Sequence, residues 1–342
     1  MIFNIYPFKK TISENGKILL KGEITMFKVV IPQDITEKGK QFLRDKGYEV
    51  IVGPGVEDVE VYKELVKDAD ALLVRTGPYP KEVIDAAPKL KVISRFGVGT
   101  DNIDVDYCTE KGIYVTITPT ANALSVAEHA IGLIISCAHQ IKALDKAVNE
   151  GNWHLRNKIT TYNISEKTLG LVGLGRIGNY VSRMARLGLN MKVIAYDAYL
   201  PKDKAPEGVE MCDTMEEIFE RADFISLHIP YTPNTKGMIN IDILKKMKKS
   251  SFLINTARGG LIVEEDLCRA VKEKVIAGAA LDVMINEPPA LDNQLLNIDN
   301  IIITPHSATL TVETMDLVGV HAAMGIHSVL SGEKPDWPFN KL

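Results

Sequence analysis

The stretch Leu169-Gly-Leu-Val-Gly173-Leu-Gly175-Arg-Ile-Gly178 decides how the rest of the chain is read. A Val/Leu run that reads as a buried strand leads into G-x-G-x-x-G, and a helical pattern from Asn179 to Leu187 follows it. In that setting Gly173 permits a tight turn, Gly175 lets the backbone approach a pyrophosphate, and Gly178 allows close helix–strand packing. The free N–H groups at the helix start then face the phosphates. Alone the glycine pattern is a weak signal. The next run, Lys192-Val-Ile-Ala-Tyr-Asp197, reads as a second strand ending in an acid about 20 residues on, where a carboxylate accepts from ribose hydroxyls. Strand, glycines, helix, strand and acid in that order predict a dinucleotide site. Asp197 repels an additional 2′-phosphate, which favours NAD over NADP; the opposite reading would use Lys202 or Lys204 for that phosphate.

Working outward, short Val/Ile/Leu-rich runs alternate with helix-like stretches on both sides. Upstream are Phe27 to Ile31, Glu49 to Val52, Ala71 to Val74, Lys91 to Ser94 and Tyr114 to Thr116. Downstream, beginning with Thr168 to Val172, are Met191 to Tyr196, Phe224 to Leu227, Ser251 to Asn255, Ala277 to Asp282 and Ile301 to Thr304. Such alternation predicts an α/β protein with two doubly wound parallel sheets. Between the series, Ser125-Val-Ala-Glu128 reads as a capping box opening a helix that runs to about Val148, apolar on several sides and hence buried. That helix is either an interior helix or a crossing between domains that also forms a subunit contact. Thr309 to Leu330 reads as a last helix, expected to return to the first domain.

The 342 residues carry 40 Lys+Arg against 44 Asp+Glu, a net charge of −4. That length suits about two domains. The charge lacks the basic footprint that nucleic-acid binding needs, so no nucleic-acid partner is expected. No run reaches the roughly 18 apolar residues that span a bilayer, so no membrane partner is expected either. Cys108, Cys137, Cys212 and Cys268 lack zinc or disulfide spacing; they read as buried thiols in a reducing cytoplasm, with no metal. Residues 1–25 differ in pattern from the rest of the chain and read as an extension, weakly ordered or packed as an accessory hairpin, without the features of a signal peptide.

Three further residues fall just after strands of the second series, at the edge where open α/β sheets bind ligands. Arg258 follows Phe252-Leu-Ile-Asn-Thr-Ala, Glu287 lies in Leu281-Asp-Val-Met-Ile-Asn-Glu-Pro-Pro289, and His306 follows Ile301-Ile-Ile-Thr-Pro305. An enzyme that oxidises a 2-hydroxy acid with NAD needs all three types. Arginine's planar fork holds the carboxylate, histidine exchanges a proton near neutral pH, and a neighbouring carboxylate favours the imidazolium form.

With these residues in place, the chain resembles the D-isomer-specific, NAD-dependent 2-hydroxyacid dehydrogenase family from about Met26 to its end. The resemblance rests on Arg95-Phe-Gly-Val-Gly-Thr-Asp-Asn-Ile-Asp104, Gly170 to Gly178, His228-Ile-Pro-Tyr-Thr-Pro-Asn-Thr235, Asn255-Thr-Ala-Arg-Gly-Gly260, Gly278-Ala-Ala-Leu-Asp282 and Pro305-His306. It implies a Rossmann NAD-binding domain (125–306) inserted into a flavodoxin-like substrate domain (26–124 and 307–342), with a cleft between them, and a homodimer joined through the nucleotide domain. It also implies roles: Arg258 on the substrate carboxylate, His306 as acid/base and Glu287 as its partner. Cofactor contacts are implied at Gly173, Gly175, Arg176, Ile177, Gly178, Asp197, Ile229, Pro230, Thr235, Thr256, Ala257 and Asp282. The loop Gly97-Val98-Gly99 would offer N–H groups to the substrate.

Within the family the look is closest to D-3-phosphoglycerate dehydrogenases, where Arg75 and Arg95 match arginines near the substrate phosphate. Yet His139 stands where those enzymes often carry arginine. A short 2-hydroxy or 2-oxo acid such as glyoxylate or hydroxypyruvate is therefore the first expectation, and 3-phosphoglycerate the second. An NAD-responsive corepressor, which the family also contains, is the reading of a different class.

Overall fold

The computed structural model describes residues 17–20 and 23–342. A hairpin comes first, β1 (Lys17–Leu20) pairing antiparallel with β2 (Glu23–Met26). The rest of the expected extension lies outside the described residues. From there the described residues divide into two compact units, one running to 122 and taking in 311–342, the other 123–310.

In the first unit β3 (Lys28–Ile31), α1 (Glu37–Asp45), β4 (Glu49–Val52), α2 (Val59–Leu65), β5 (Ala71–Val74), α3 (Lys81–Asp85), β6 (Val92–Arg95), α4 (Val105–Glu110) and β7 (Tyr114–Thr116) alternate. The five strands are parallel in the order β4-β3-β5-β6-β7, the arrangement of flavodoxin-like sheets. Successive side chains leave opposite faces. Val29, Ile31 and Leu73 enter one core and Val30, Leu72 and Val74 the other, so a continuous apolar run is what each strand requires.

In the second unit α5 (Ala123–Ala138) and α6 (Ile141–Asn149) lead into β8 (Thr168–Val172), α7 (Arg176–Leu189), β9 (Lys192–Tyr196), β10 (Val209–Met211), α8 (Met215–Arg221), β11 (Phe224–Leu227), α9 (Ile241–Leu244), β12 (Phe252–Asn255), α10 (Glu264–Lys272), β13 (Gly278–Leu281) and β14 (Ile301–Ile303). The seven strands are parallel in the order β10-β9-β8-β11-β12-β13-β14. Strand order reverses between β8 and β11, the switch point of a Rossmann sheet, and ligands bind outside the carboxyl ends there. Leu169, Leu171, Phe224 and Phe252 pack toward α5 and α7, with the two phenyl rings stacked 5.7 Å apart. Val172, Ile225, Leu227 and Leu253 fill the opposite face. The chain then returns to the first unit as α11 (Val312–Ser331). Gly319 of α11 lies so near Gly39 of α1 that a Cβ on Gly39 would stand 2.8 Å from the Gly319 carbonyl oxygen.

Two expectations for the helix between the series are corrected. It opens at Ala123, so Ser125 lies buried inside the first turn and not at the cap, while Glu128 faces solvent. Ala123 and Leu124 are good helix formers, which carries the start upstream. It also does not run to Val148 unbroken: Gln140 takes a left-handed φ of 53°, and α6 leaves α5 at 63°. Strand β10, half-exposed at the sheet edge, has no counterpart in the sequence reading. No single helix among the described residues is long and apolar enough to cross a membrane, and these residues hold no cluster of groups fit to bind a metal. All four cysteines are free and buried.

Candidate active site

The site in the second unit stands on the carboxyl ends of β8, β9, β12, β13 and β14. At the end of β8 the chain turns through Gly173, whose φ is +97°, and enters α7 at Arg176. A Cβ on Gly178 would stand 2.3 Å from the Gly173 carbonyl oxygen, so that contact is glycine-only. Gly175 is different, because a Cβ there would meet nothing within 4 Å and its φ of −69° suits any residue. The fold itself does not require glycine at 175. An open cradle over the amino end of a long helix does, when a diphosphate must come close to the backbone. The residues present thus fit a dinucleotide. Asp197, at the end of β9, accepts from the N–H of Leu174 in this loop at 2.8 Å and from Tyr199 and Leu200 at 2.9 and 3.0 Å. Ile177 is half-buried beside Arg176. Beyond β11, Ile229 and Pro230 open a turn that Thr235 closes on itself, its hydroxyl lying 2.8 Å from both the Pro230 carbonyl and the Thr232 N–H.

β12 delivers Asn255-Thr-Ala-Arg258. The Asn255 side chain ties this corner, accepting from Ala257 N–H at 3.0 Å and donating to the Arg258 carbonyl at 2.9 Å. The Thr256 hydroxyl is buried without a hydrogen-bond partner among the described residues. Next to Arg258, Gly259 lies against the following loop so closely that a Cβ would be 2.1 Å from the Met284 carbonyl carbon. Side chains are excluded at that contact, and the Arg258 corner is thereby seated on the loop that carries Glu287.

Glu287 and His306 meet directly, with Nδ1 of His306 2.7 Å from Oε2 of Glu287, and both side chains remain partly exposed. Oε1 of Glu287 accepts from Met284 N–H at 3.0 Å. Burial pushes the Glu287 carboxyl up, but the His306 and Met284 hydrogen bonds, with the charges of His306 and Arg258, hold it below its ordinary value. His306 has a left-handed φ of 51°, a conformation that costs a non-glycine residue on the order of 1–3 kcal/mol and collects at functional sites.

Asp282 accounts for how this turn is held. Its side chain, 1% exposed, accepts from Thr304 Oγ1 at 2.6 Å, Ser307 N–H at 2.8 Å and Ala308 N–H at 3.0 Å, while its carbonyl accepts from His306 N–H at 2.9 Å. Burial raises its pKa; the bonds from His129, Thr304, Ser307 and Ala308 together outweigh that, leaving the group below the usual carboxylate range. His129 of α5 stands behind it, Nε2 3.1 Å from Thr304 Oγ1. Neither Thr304 nor His129 stood out in the sequence, and only the acid closing the β13 run hinted at them.

In the first unit Arg75 lies just past β5, Arg95 is the last residue of β6, and the loop 97–99 follows it. Arg95 donates to the carbonyls of Gly99 and Phe96 at 2.8 and 2.6 Å. Arg75 donates to the Asp34 carbonyl at 3.0 Å and lies over the Phe96 ring. Asn102 braces the two loops, donating to the Arg75 and Gly77 carbonyls at 2.9 and 2.6 Å. The sequence thus brings Arg258, Glu287 and His306 to adjacent strand ends of one sheet, and Arg75 and Arg95 to adjacent strand ends of the other.

Known proteins resemble this chain in sequence and in fold. Residues 131–308 match the family model described as D-isomer specific 2-hydroxyacid dehydrogenase, NAD binding domain. The D-3-phosphoglycerate dehydrogenase of Methanocaldococcus jannaschii is 44% identical over 310 residues, covering 90% of this chain and 58% of that protein, so the chain spans little more than half of its length. The glyoxylate reductase of Korarchaeum cryptofilum is 39% identical over 281 residues, 81% of this chain and 84% of that one. Among solved structures, the TT0316 protein of Thermus thermophilus superposes with a TM-score of 0.85 at 31% identity, covering 92% of this chain and all of the other. On fold, glycine loop and relatives together, the chain belongs to the D-isomer-specific 2-hydroxyacid dehydrogenase family.

Proposed function

We propose that the chain is an NAD-linked oxidoreductase that interconverts a small D-2-hydroxy acid and its 2-oxo acid. The observation that carries this is the His306–Glu287 pair at 2.7 Å, on a left-handed turn beside Arg258. With Nδ1 engaged by Glu287, Nε2 is the nitrogen left to face a substrate oxygen. In the reducing direction it gives its proton to the carbonyl oxygen, which becomes the hydroxyl; in the oxidising direction it takes that proton back. Arg258 holds the substrate carboxylate through its fork. The nicotinamide, when bound, supplies or accepts the hydride at C2.

The unit 123–310 serves as the cofactor half in this reading. Gly173, Gly175, Arg176, Ile177 and Gly178 take the pyrophosphate, Asp197 the ribose, and Ile229, Pro230, Thr235, Thr256 and Ala257 the remainder, with Asp282 bracing the nicotinamide end. The charge of Asp197 excludes a 2′-phosphate, which makes NAD the cofactor. In the first unit the Gly97 N–H is already given to the Arg95 carbonyl, so Val98 and Gly99 are that loop's donors for the substrate.

Arg95 spends donors on carbonyls of its own loop and Arg75 spends one on the Asp34 carbonyl, and histidine stands at 139 in place of an arginine. This favours a short 2-oxo acid, glyoxylate or hydroxypyruvate, as substrate. Conversion of 3-phosphoglycerate is the second reading, favoured by the 44% identity to a D-3-phosphoglycerate dehydrogenase. The exposed apolar side chains Val148, Trp153, Tyr180 and Leu187 of the second unit suit a homodimer. Four free, buried thiols suit a reducing cytoplasm. The test is absorbance at the reduced-nicotinamide band with a panel of 2-oxo acids that includes phosphohydroxypyruvate, comparing wild type with His306→Ala and Arg258→Ala. The reading fails if NADH binds and no panel member is turned over.

A further inference from the structure

We propose that Glu264, the first residue of α10, is a positioning residue for Glu287, and so for the proton-transfer pair. This rests on the acid–base reading of His306 and Glu287 given above. The carboxylate of Glu264 is divided between the two ends of the loop that carries Glu287. Oε1 accepts from Ile285 N–H at 2.8 Å and Oε2 accepts from the Asn293 side-chain amide at 3.0 Å. Asn293 in turn caps the short 3-10 turn Gln294–Asn297, accepting from Leu295 N–H at 3.0 Å.

The loop has little else to hold it. No residue between Met284 and Leu295 is buried, and its large apolar side chains, Ile285 and Leu291, are 53% and 95% exposed. Hydrophobic packing therefore does not fix its course, and polar ties must. Two of those ties, one toward each end of the loop, converge on the Glu264 carboxylate, while His306 and the Met284 N–H hold Glu287 itself. On the near side the same segment is pressed against the Arg258 corner, because Gly259 touches the backbone of Met284 and Ile285. Glu264 thus clamps the residues that set both where Glu287 points and how far it stands from Arg258. An acid in the first turn of a helix is ordinarily a dipole complement facing water, as its exposed neighbour Glu265 is. Glu264 is instead half-buried with both oxygens occupied.

The donor pattern supplies a test that a general loss of stability does not reproduce. In Glu264→Ala both ties vanish. In Glu264→Gln the amide oxygen can still accept from Ile285, but the amide nitrogen meets the nitrogen of Asn293. In Asn293→Asp two carboxylates face each other. The double variant Glu264→Gln with Asn293→Asp reverses the second bond, because the amide introduced at 264 donates to the carboxylate introduced at 293. That carboxylate can still cap Leu295. With NADH and the best 2-oxo acid of the panel, each single variant is expected to lower kcat by about tenfold, the equivalent of one misplaced hydrogen-bonded group. KM and NADH affinity should stay within about twofold. The double variant should recover to within about threefold of wild type.

Wild-type kcat in Glu264→Ala, or a double variant no better than Glu264→Gln, overturns the proposal. Glu287→Gln is run beside them to separate the causes. If it loses kcat while the Glu264 variants do not, only the positioning role falls. If it keeps wild-type kcat, the reading of the His306–Glu287 pair falls and the positioning role with it.

Discussion

His228, just past the end of β11, should make the protein acid-sensitive by a calculable amount. Part of the residue reaches the surface, but both ring nitrogens are buried and have no hydrogen-bond partner among the described residues. The nitrogens carry the proton, so their burial decides its affinity, and it pushes the pKa from 6.5 down to about 4. The folded protein therefore keeps this ring neutral at a pH where the unfolded chain protonates it. Below 6.5 the unfolded state binds more protons, so stability falls with pH until the ring also titrates in the folded state at about 4. Each pH unit in that window is worth about 1.36 kcal/mol. The loss is then about 2 kcal/mol at about pH 5 and levels off near roughly 3 kcal/mol below about pH 4.

His228→Phe keeps a flat ring of similar size and removes the titration. Denaturant unfolding followed by circular dichroism, from about pH 7 to about pH 5, reads the effect as the difference between the two proteins' curves. Every other titrating group is common to both and cancels. The wild type should lose about 2 kcal/mol relative to the variant over that range. Parallel curves would mean that the ring is hydrated or hydrogen-bonded in the folded state, and would refute the reasoning.

Two glycines of the β8–α7 loop should separate stability from cofactor binding. Gly178→Ala drives a Cβ to 2.3 Å from a backbone oxygen and should cost on the order of 1–3 kcal/mol in unfolding free energy. Gly175→Ala meets nothing and should leave the unfolding midpoint unchanged while weakening NADH, titrated by fluorescence, by about tenfold or more. Asp197→Ala should narrow the preference for NAD over NADP by about tenfold in Kd, and it should weaken NAD as well because the Leu174 N–H loses its acceptor. Burial pushes the thiols of Cys108 and Cys137 up to about 12, so neither should react with a thiol-disulfide reagent at about pH 8 until denaturant is added.

The strands were legible because parallel strands covered on both faces must be apolar without interruption, and Gly, Asp or Asn punctuates their ends. Ala71–Val74 and Phe224–Leu227, buried throughout, stand where their runs stand in the sequence. β10 escaped because Val209-Glu-Met211 lies on an edge, half exposed, and an edge strand needs no continuous apolar run. The break at Gln140 escaped for another reason. Its left-handed backbone is the kind glycine or asparagine usually marks, and neither stands there.

Arg258, Glu287 and His306 could be picked out because each follows a strand end. What holds them could not, since the relevant bonds join side chains to backbone across long separations and leave no periodicity. Asp282 shows what that hides. A glycine at 306 would adopt the left-handed angle freely but carry no imidazole, so the turn keeps histidine at a glycine-like φ of 51°. The strain, on the order of 1–3 kcal/mol, is offset by the hydrogen bonds from Thr304, Ser307 and Ala308 to one buried carboxylate, each contributing about 1 kcal/mol or more because the acceptor is ionised. The pinned backbone leaves the ring few orientations, and Glu287 selects the one that turns Nδ1 inward. An acid that reads in the sequence as a cofactor contact thus works in the fold as the brace of His306, the residue proposed above to move the proton.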